Sequence, residues 1–251
     1  MKEPLRFQQI RGIRFFVGEA QQAIDLIGER GGLVVVPSGP GMRTLATDRA
    51  YREALLGADL ALADSGYMVL LWNMLHRPWI SKLSGLKYLR ALVLDDGFRG
   101  AGATFWVMPS RESVRLTLVW LGENGIKVDA ENMYVAPQYR GRMQDPELAD
   151  AIERLRPRHV MVCVGGGAQE PLGWYLKQNL SYLPAIQCIG AANGFLTGDQ
   201  VSIPVWTDRL GLGWLWRTIS NPRLYLPRYW EARHLARLVL RYGERLPLAQ
   251  D

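Results

Sequence analysis

Short apolar runs alternate with segments of helical spacing along the first 190 positions. Residues 10–17, 33–37, 58–63, 103–108, 132–136, 159–164 and 185–190 read as strands, five to eight residues long and rich in Val, Ile, Leu and aromatic side chains. Between them, apolar positions recur every three to four residues over 19–30, 44–56, 66–76, 86–95, 111–124, 146–156 and 169–180, which predicts helices. Alternation of strand and helix predicts an α/β fold, Rossmann-like, with a mostly parallel sheet and helices on both faces.

The pattern changes after residue 204. Residues 205–251 hold Trp206, Trp214, Trp216 and Trp230, four of the nine tryptophans, together with eight arginines. Arg233, Arg237, Arg241 and Arg245 fall every fourth residue and form one stripe along a helix, with Leu235, Leu238, Val239 and Tyr242 off that stripe as an apolar face. Basic and aromatic residues on one helix suit a membrane surface, and equally suit a terminal helix packed on its own domain with a solvated arginine face. The chain therefore divides into an α/β core, 1–204, and a helical Trp/Arg-rich appendage, 205–251.

Charge adds an anionic partner to this picture. The net charge is +6, and all but five of the 30 basic residues are arginine. Arginine forks match phosphate and carboxylate oxygens. Nucleic acid is disfavoured, because no nucleic-acid motif accompanies the basic and aromatic interleaving. Cys163 and Cys188 lie in strand-like runs and read as buried hydrophobes in a reducing compartment. His76, His159 and His234 are scattered and offer no metal spacing. With no signal peptide and no run of membrane-spanning length, the expected location is cytoplasmic.

Three strand ends carry candidate chemistry. In "LALADSGYMVLLW", 60–72, Asp64 stands where a strand gives way to a helix. A carboxylate there serves as a general base or as the cap of the following helix, and local sequence favours the cap. In "VVPSGPGM", 35–42, Ser38 offers a hydroxyl within a loop whose glycines allow close approach of a ligand, or which forms an ordinary turn. In "VCVGGGAQE", 162–170, three glycines precede a helix N-terminus suited to anions. The spacing fails G-x-G-x-x-G because Glu170 occupies the third position, which argues against nicotinamide chemistry.

Taken together, "ADSG" at 63–66, "KLSGLKY" at 82–88, "GGGAQE" at 165–170, "GAANGFLTG" at 190–198 and "IPVWTDRLGLGWLWRTISNPRLYLPR" at 203–228 resemble the WecG/TagA/CpsF family of bacterial glycosyltransferases. The resemblance implies an inverting, metal-independent transfer of a hexose from a UDP-sugar to a polyprenyl-diphosphate-linked sugar. The implied setting is surface-polysaccharide synthesis, on the inner face of the cytoplasmic membrane. Asp64 matches the general base. Ser38, Gly165, Gly166, Gln169, Glu170 and Asn193 fall on the donor side. Lys82, Arg217, Arg223 and Arg228 match the basic groups at the diphosphate and acceptor, the arginines belonging to an appendage that closes over the site. No cofactor beyond the UDP-sugar substrate is implied. Self-association through the apolar stretch Met68–Leu75 is a further expectation.

Departures from the family pattern cluster on the donor side. Gly167-Ala168 replaces Pro-Lys, Asn193-Gly194 replaces Phe-Asp, and Gly213 replaces the Glu of G-L-E-W. They suggest a changed donor within a glucose- or N-acetylmannosamine-type UDP-sugar, and family members that add glucose to a lipid-linked glucose give the preference for glucose. The alternative is a non-catalytic, membrane-associated partner of a polysaccharide assembly complex.

Overall fold

The computed structural model describes residues 5–139, 143–190, 192–198, 219 and 222–249, and within 224–233 the backbone only. Among the described residues eight strands build one sheet: β1 (Arg6–Ile10), β2 (Ile13–Val17), β3 (Gly32–Val35), β4 (Leu60–Leu62), β5 (Thr104–Met108), β6 (Met133–Val135), β7 (His159–Val162) and β8 (Ala185–Cys188). Their order is β1-β2-β4-β3-β8-β7-β5-β6. Every pairing is parallel except β1 with β2.

Strand side chains alternate between two cores, as a period of two requires. Leu33, Val35, Ala61, Phe105, Val107, Val160 and Val162 enter one core. Helices α2 (Gly39–Arg43), α3 (Arg49–Leu56), α4 (Gly66–Leu75), α8 (Pro146–Leu155), α9 (Gln169–Asn179) and α11 (Pro222–Tyr242) cover it. Val34, Val36, Leu60, Leu62, Trp106, Met108 and Met161 enter the other. That face is covered by α1 (Ala20–Arg30), α5 (Gly85–Leu92), α6 (Asp96–Arg99), α7 (Arg111–Glu123) and α10 (Ala192–Thr197). A sheet buried on both faces explains why its strands read as continuous apolar runs.

Two expectations need correction. The stretch 10–17 is a hairpin, not one strand: Ile10 pairs with Ile13 across a two-residue turn in which Arg11 and Gly12 have φ of 51° and 82°. Two consecutive positive φ values match the twist of a tight hairpin, and Gly12 supplies one of them without strain. The stretch 44–56 is not one helix. Residues 39–43 form α2, Thr44–Ala46 a turn of 3₁₀ helix, and α3 starts afresh at Arg49. Asp48 caps α3 by accepting from Tyr51 N (3.0 Å), which stops any helix from running through.

The C-terminal helix docks on the first core. Leu235 and Val239 are fully buried, Leu238 and Tyr242 half-buried, while Arg237, Arg241 and Arg245 face solvent. Burial of each aliphatic side chain contributes about 1.5–3 kcal/mol. The chain after the helix is tied to the hairpin: Arg11 N donates to Gly243 O (2.7 Å) and Gly12 N to Glu244 O (2.8 Å). Between α11 and Gly198 only Ile219 is described, so most of the 205–221 part of the appendage lies outside the described residues. Among the described residues no helix is long and apolar enough to cross a membrane. Met68, Val69 and Trp72 of α4 are buried, whereas Leu70, Met74 and Leu75 are exposed.

Candidate active site

Asp64 follows Leu60 and Leu62 in parity and therefore faces the α5 side of the sheet. The segment before α5 is drawn alongside β4 by a bond from Leu83 N to Ala63 O (3.2 Å). Ser84 caps α5 by accepting from Lys87 N (3.1 Å). Gly85 N then donates to Asp64 Oδ1 (3.1 Å). Gly85 packs closely there: a Cβ at this position would stand 3.3 Å from Val36 Cγ1 and 3.7 Å from Ala192 Cβ. The carboxylate thus sits half-buried at the positive end of a helix, where the ends of β3 and β4 and the start of α10 meet.

Asp64 does not cap the helix that follows it. Ser65 does, accepting from Met68 N (3.3 Å). The local expectation of a cap is corrected because the cap position of α4 falls one residue later, which leaves the Asp64 side chain to engage α5.

The ends of β3 and β8 lie side by side, yet their connections leave on opposite faces, to α2 and to α10. Such a divergence opens a crevice at the carboxyl edge of the sheet. Ser38 is exposed at its rim and caps α2, accepting from Gly41 N (3.1 Å). A Cβ on Gly39 would lie 3.0 Å from Ser65 Oγ, so α2 and α4 begin side by side.

The glycine loop after β7 lies next along. A Cβ on Gly165, Gly166 or Gly167 would meet nothing within 4 Å, so this loop borders open space. It is braced from below. Glu170 accepts from Gly167 N (2.8 Å) at Oε2 and from Gln169 Nε2 (3.0 Å) at Oε1. Both side chains are almost wholly buried, and Gln169 Oε1 has no partner. Burial pushes the Glu170 carboxyl up, against the opposite pull of those two bonds. Glu170 therefore holds the loop from beneath rather than presenting a charge to its surface.

Asn193 points elsewhere. Its Nδ2 donates to Thr117 Oγ1 of α7 (2.8 Å), so the amide fastens α10 to α7. Lys82 is half-buried in the segment laid along the end of β4. Arg223 is exposed in the first turn of α11. Arg217 lies outside the described residues, and so does the side chain of Arg228. Asp64, Ser38, Lys82, Gln169 and the glycine loop all belong to the carboxyl edge of the sheet, while Asn193 Nδ2 turns away to α7.

The model of the glycosyl transferase WecG/TagA/CpsF family matches residues 8–248, nearly the whole chain. The chain belongs to that family. A curated relative from Bacillus subtilis (strain 168), N-acetylglucosaminyldiphosphoundecaprenol N-acetyl-beta-D-mannosaminyltransferase, is 24% identical over 212 residues, covering 81% of this chain and 79% of its own. As a WecG/TagA/CpsF member the protein is an enzyme, a glycosyltransferase.

Two polar features of this fold escaped the sequence reading. Tyr51 of α3 is buried with its hydroxyl unpartnered, 2.5 Å from where a Cβ on Gly41 would stand, and its titration is raised by burial and by nearby Glu170. Its alternation with Ala54 and Leu55 marks it only as a core position. Arg11 is fully buried beneath α11. Its signal was an Arg-Gly pair between two runs of alternating residues, a hairpin turn hidden by reading 10–17 as one strand.

Proposed function

We propose that the protein moves a hexose from a UDP-sugar to a polyprenyl-diphosphate-linked sugar, with inversion and without a metal, and that Asp64 is the base. The observation that carries this reading is the Gly85 N–H bond to Asp64 Oδ1 at the crevice edge of the sheet. It orients one carboxylate oxygen and leaves the group partly open to solvent. In the transfer, Asp64 takes the proton of the acceptor hydroxyl as its oxygen bonds the anomeric carbon from one face. The bond from that carbon to the UDP oxygen breaks on the other face, and the electron pair leaves on the diphosphate. The glycine loop that opens α9 and the appendage arginines Arg217, Arg223 and Arg228 stabilise that charge. The Trp/Arg-rich appendage suits a peripheral position on the inner face of the cytoplasmic membrane, where a lipid-linked acceptor resides.

The donor is a glucose- or N-acetylmannosamine-type UDP-sugar. The relative's name carries the second, and the departures at 167–168 and 193–194 are the reason for testing the first beside it. UDP release, measured with both donors and with prenyl-diphosphate-linked glucose or N-acetylglucosamine as acceptor, distinguishes them. Asp64→Asn is expected to lower acceptor-dependent release at least ~100-fold, the low end of general-base contributions. Release at the wild-type rate by this variant assigns the base elsewhere. A folded protein that neither releases nor binds UDP sustains instead the reading of a non-catalytic assembly partner.

A further inference from the structure

A second polar cavity lies away from Asp64, on the opposite face of the sheet, between α11 and the α2 region. Its volume is about 420 Å³, and among the described residues its lining includes Arg11, Arg43, Arg237 and Arg241 but no Asp or Glu. His234, Arg237, Leu238, Arg241 and Tyr242 line it from α11 at spacings of three and four, so one helix face addresses it. Pro247 closes one side, held by Arg52, which donates to its carbonyl (2.6 Å).

Arg11 makes this more than a basic surface. It has no exposed area, donates from Nη1 to Met42 O, and lies 5.9 Å from the centre of the Tyr242 ring. Its Nε and Nη2 are buried with no partner. Burial draws its titration down to about 10, which still leaves the guanidinium charged at neutral pH. A buried cation with two unused donors is costly unless an anion completes it. The two unused donors of Arg11 and the exposed forks of Arg237 and Arg241 about one cavity match the oxygens of a phosphate, which accepts paired N–H bonds.

We propose that this groove binds a phosphate group, separately from the transfer site. Either the headgroup of an anionic phospholipid or a soluble diphosphate supplies that chemistry. The arginines concerned are not Arg217, Arg223 and Arg228, and the binding does not depend on Asp64.

The test uses the full chain. Calorimetric titration with sodium pyrophosphate, at ionic strength matched with chloride, reads the soluble source. Cosedimentation with phosphatidylcholine vesicles, with and without phosphatidylglycerol, reads the headgroup. Wild type is compared with R237Q/R241Q, two exposed positions, and with R30Q/R154Q, which removes the same charge from exposed sites elsewhere. The expected result is that wild type and R30Q/R154Q bind alike, whereas R237Q/R241Q loses the binding event or weakens it at least tenfold. Pyrophosphate binding without vesicle binding names the soluble source. Phosphatidylglycerol-dependent sedimentation that pyrophosphate reverses names the headgroup. No binding of either probe overturns the proposal, as does R237Q/R241Q binding like wild type, or R30Q/R154Q losing binding equally.

Discussion

Two glycines of the loops around the crevice separate the conformational from the steric cost of a side chain. Gly167 has φ of 88° and open space around it, whereas Gly190 has φ of 52° and would set a Cβ 2.7 Å from Gln169 Oε1. An alanine at Gly167 meets only the strain of a left-handed backbone, about 1–2 kcal/mol. An alanine at Gly190 meets that strain and must also displace Gln169, which is boxed in by its bond to Glu170 (3.0 Å). Gly190→Ala is therefore expected to lose more stability than Gly167→Ala in urea unfolding, and equal losses would show that Gln169 yields freely. The same residue scale shows what local sequence hides. Asp64 and Ser65 are both good caps, and only the path of 80–85 beside β4 decides that Ser65 caps while Asp64 turns to Gly85. Asn193 is likewise unreadable alone, since its partner Thr117 lies 76 positions away.

Elements were more legible than contacts because burial on both faces writes itself into composition. The strands ending near Asp64, Ser38 and the glycine loop follow from apolar runs, and helices α8 and α9 beside β7 from helical spacing, whereas the break between α2 and α3 rests on the Asp48 cap. The failures came where a turn is made without the usual residues. Arg11 occupies a positive-φ turn position where Asn or Gly is expected, so the hairpin looked like one strand. Short helix α10, six residues long, has too few turns to show a period. On α11 Arg237 and Arg241 are exposed and Leu235 and Val239 buried, as the spacing predicts, while Arg245 falls beyond the helix end at Tyr242 and the side chain of Arg233 lies outside the described residues. Leu235 is buried against α2, its Cδ2 lying 3.7 Å from where a Cβ on Gly39 would stand. Leu235→Ala should therefore cost about 2–5 kcal/mol in chemical denaturation. Leu240→Ala on the same helix, where the side chain is 65% exposed, should stay within about 0.5 kcal/mol of wild type. Similar small losses for both would mean that α11 is not docked through this face in solution.

At the scale of the molecule, burial of ionisable groups ties stability to pH. His159 begins β7 beneath Phe98, with 5.4 Å between ring centres, and both its ring nitrogens are buried without partners. Burial lowers its titration to about 4, helped by neighbouring Arg158 and opposed by Asp95. In the unfolded chain the same imidazole takes up a proton near pH 6.5. Between those values the unfolded state binds more protons, so stability is complete above about pH 6.5 and falls as pH drops toward 4. The span corresponds to about 3 kcal/mol. Glu170 acts with the opposite sign: its raised titration contributes stability below the ordinary carboxyl value that is lost as pH rises. The wild-type profile mixes the two, and a difference against a His159 variant isolates one. His159→Leu removes two unpartnered polar atoms, so at pH 7.5 it should be as stable as wild type or more so. On acidification its advantage should widen by about 3 kcal/mol by pH 4 in urea unfolding. Parallel profiles for the two proteins would mean that His159 takes up its proton in the folded state as readily as in the unfolded chain.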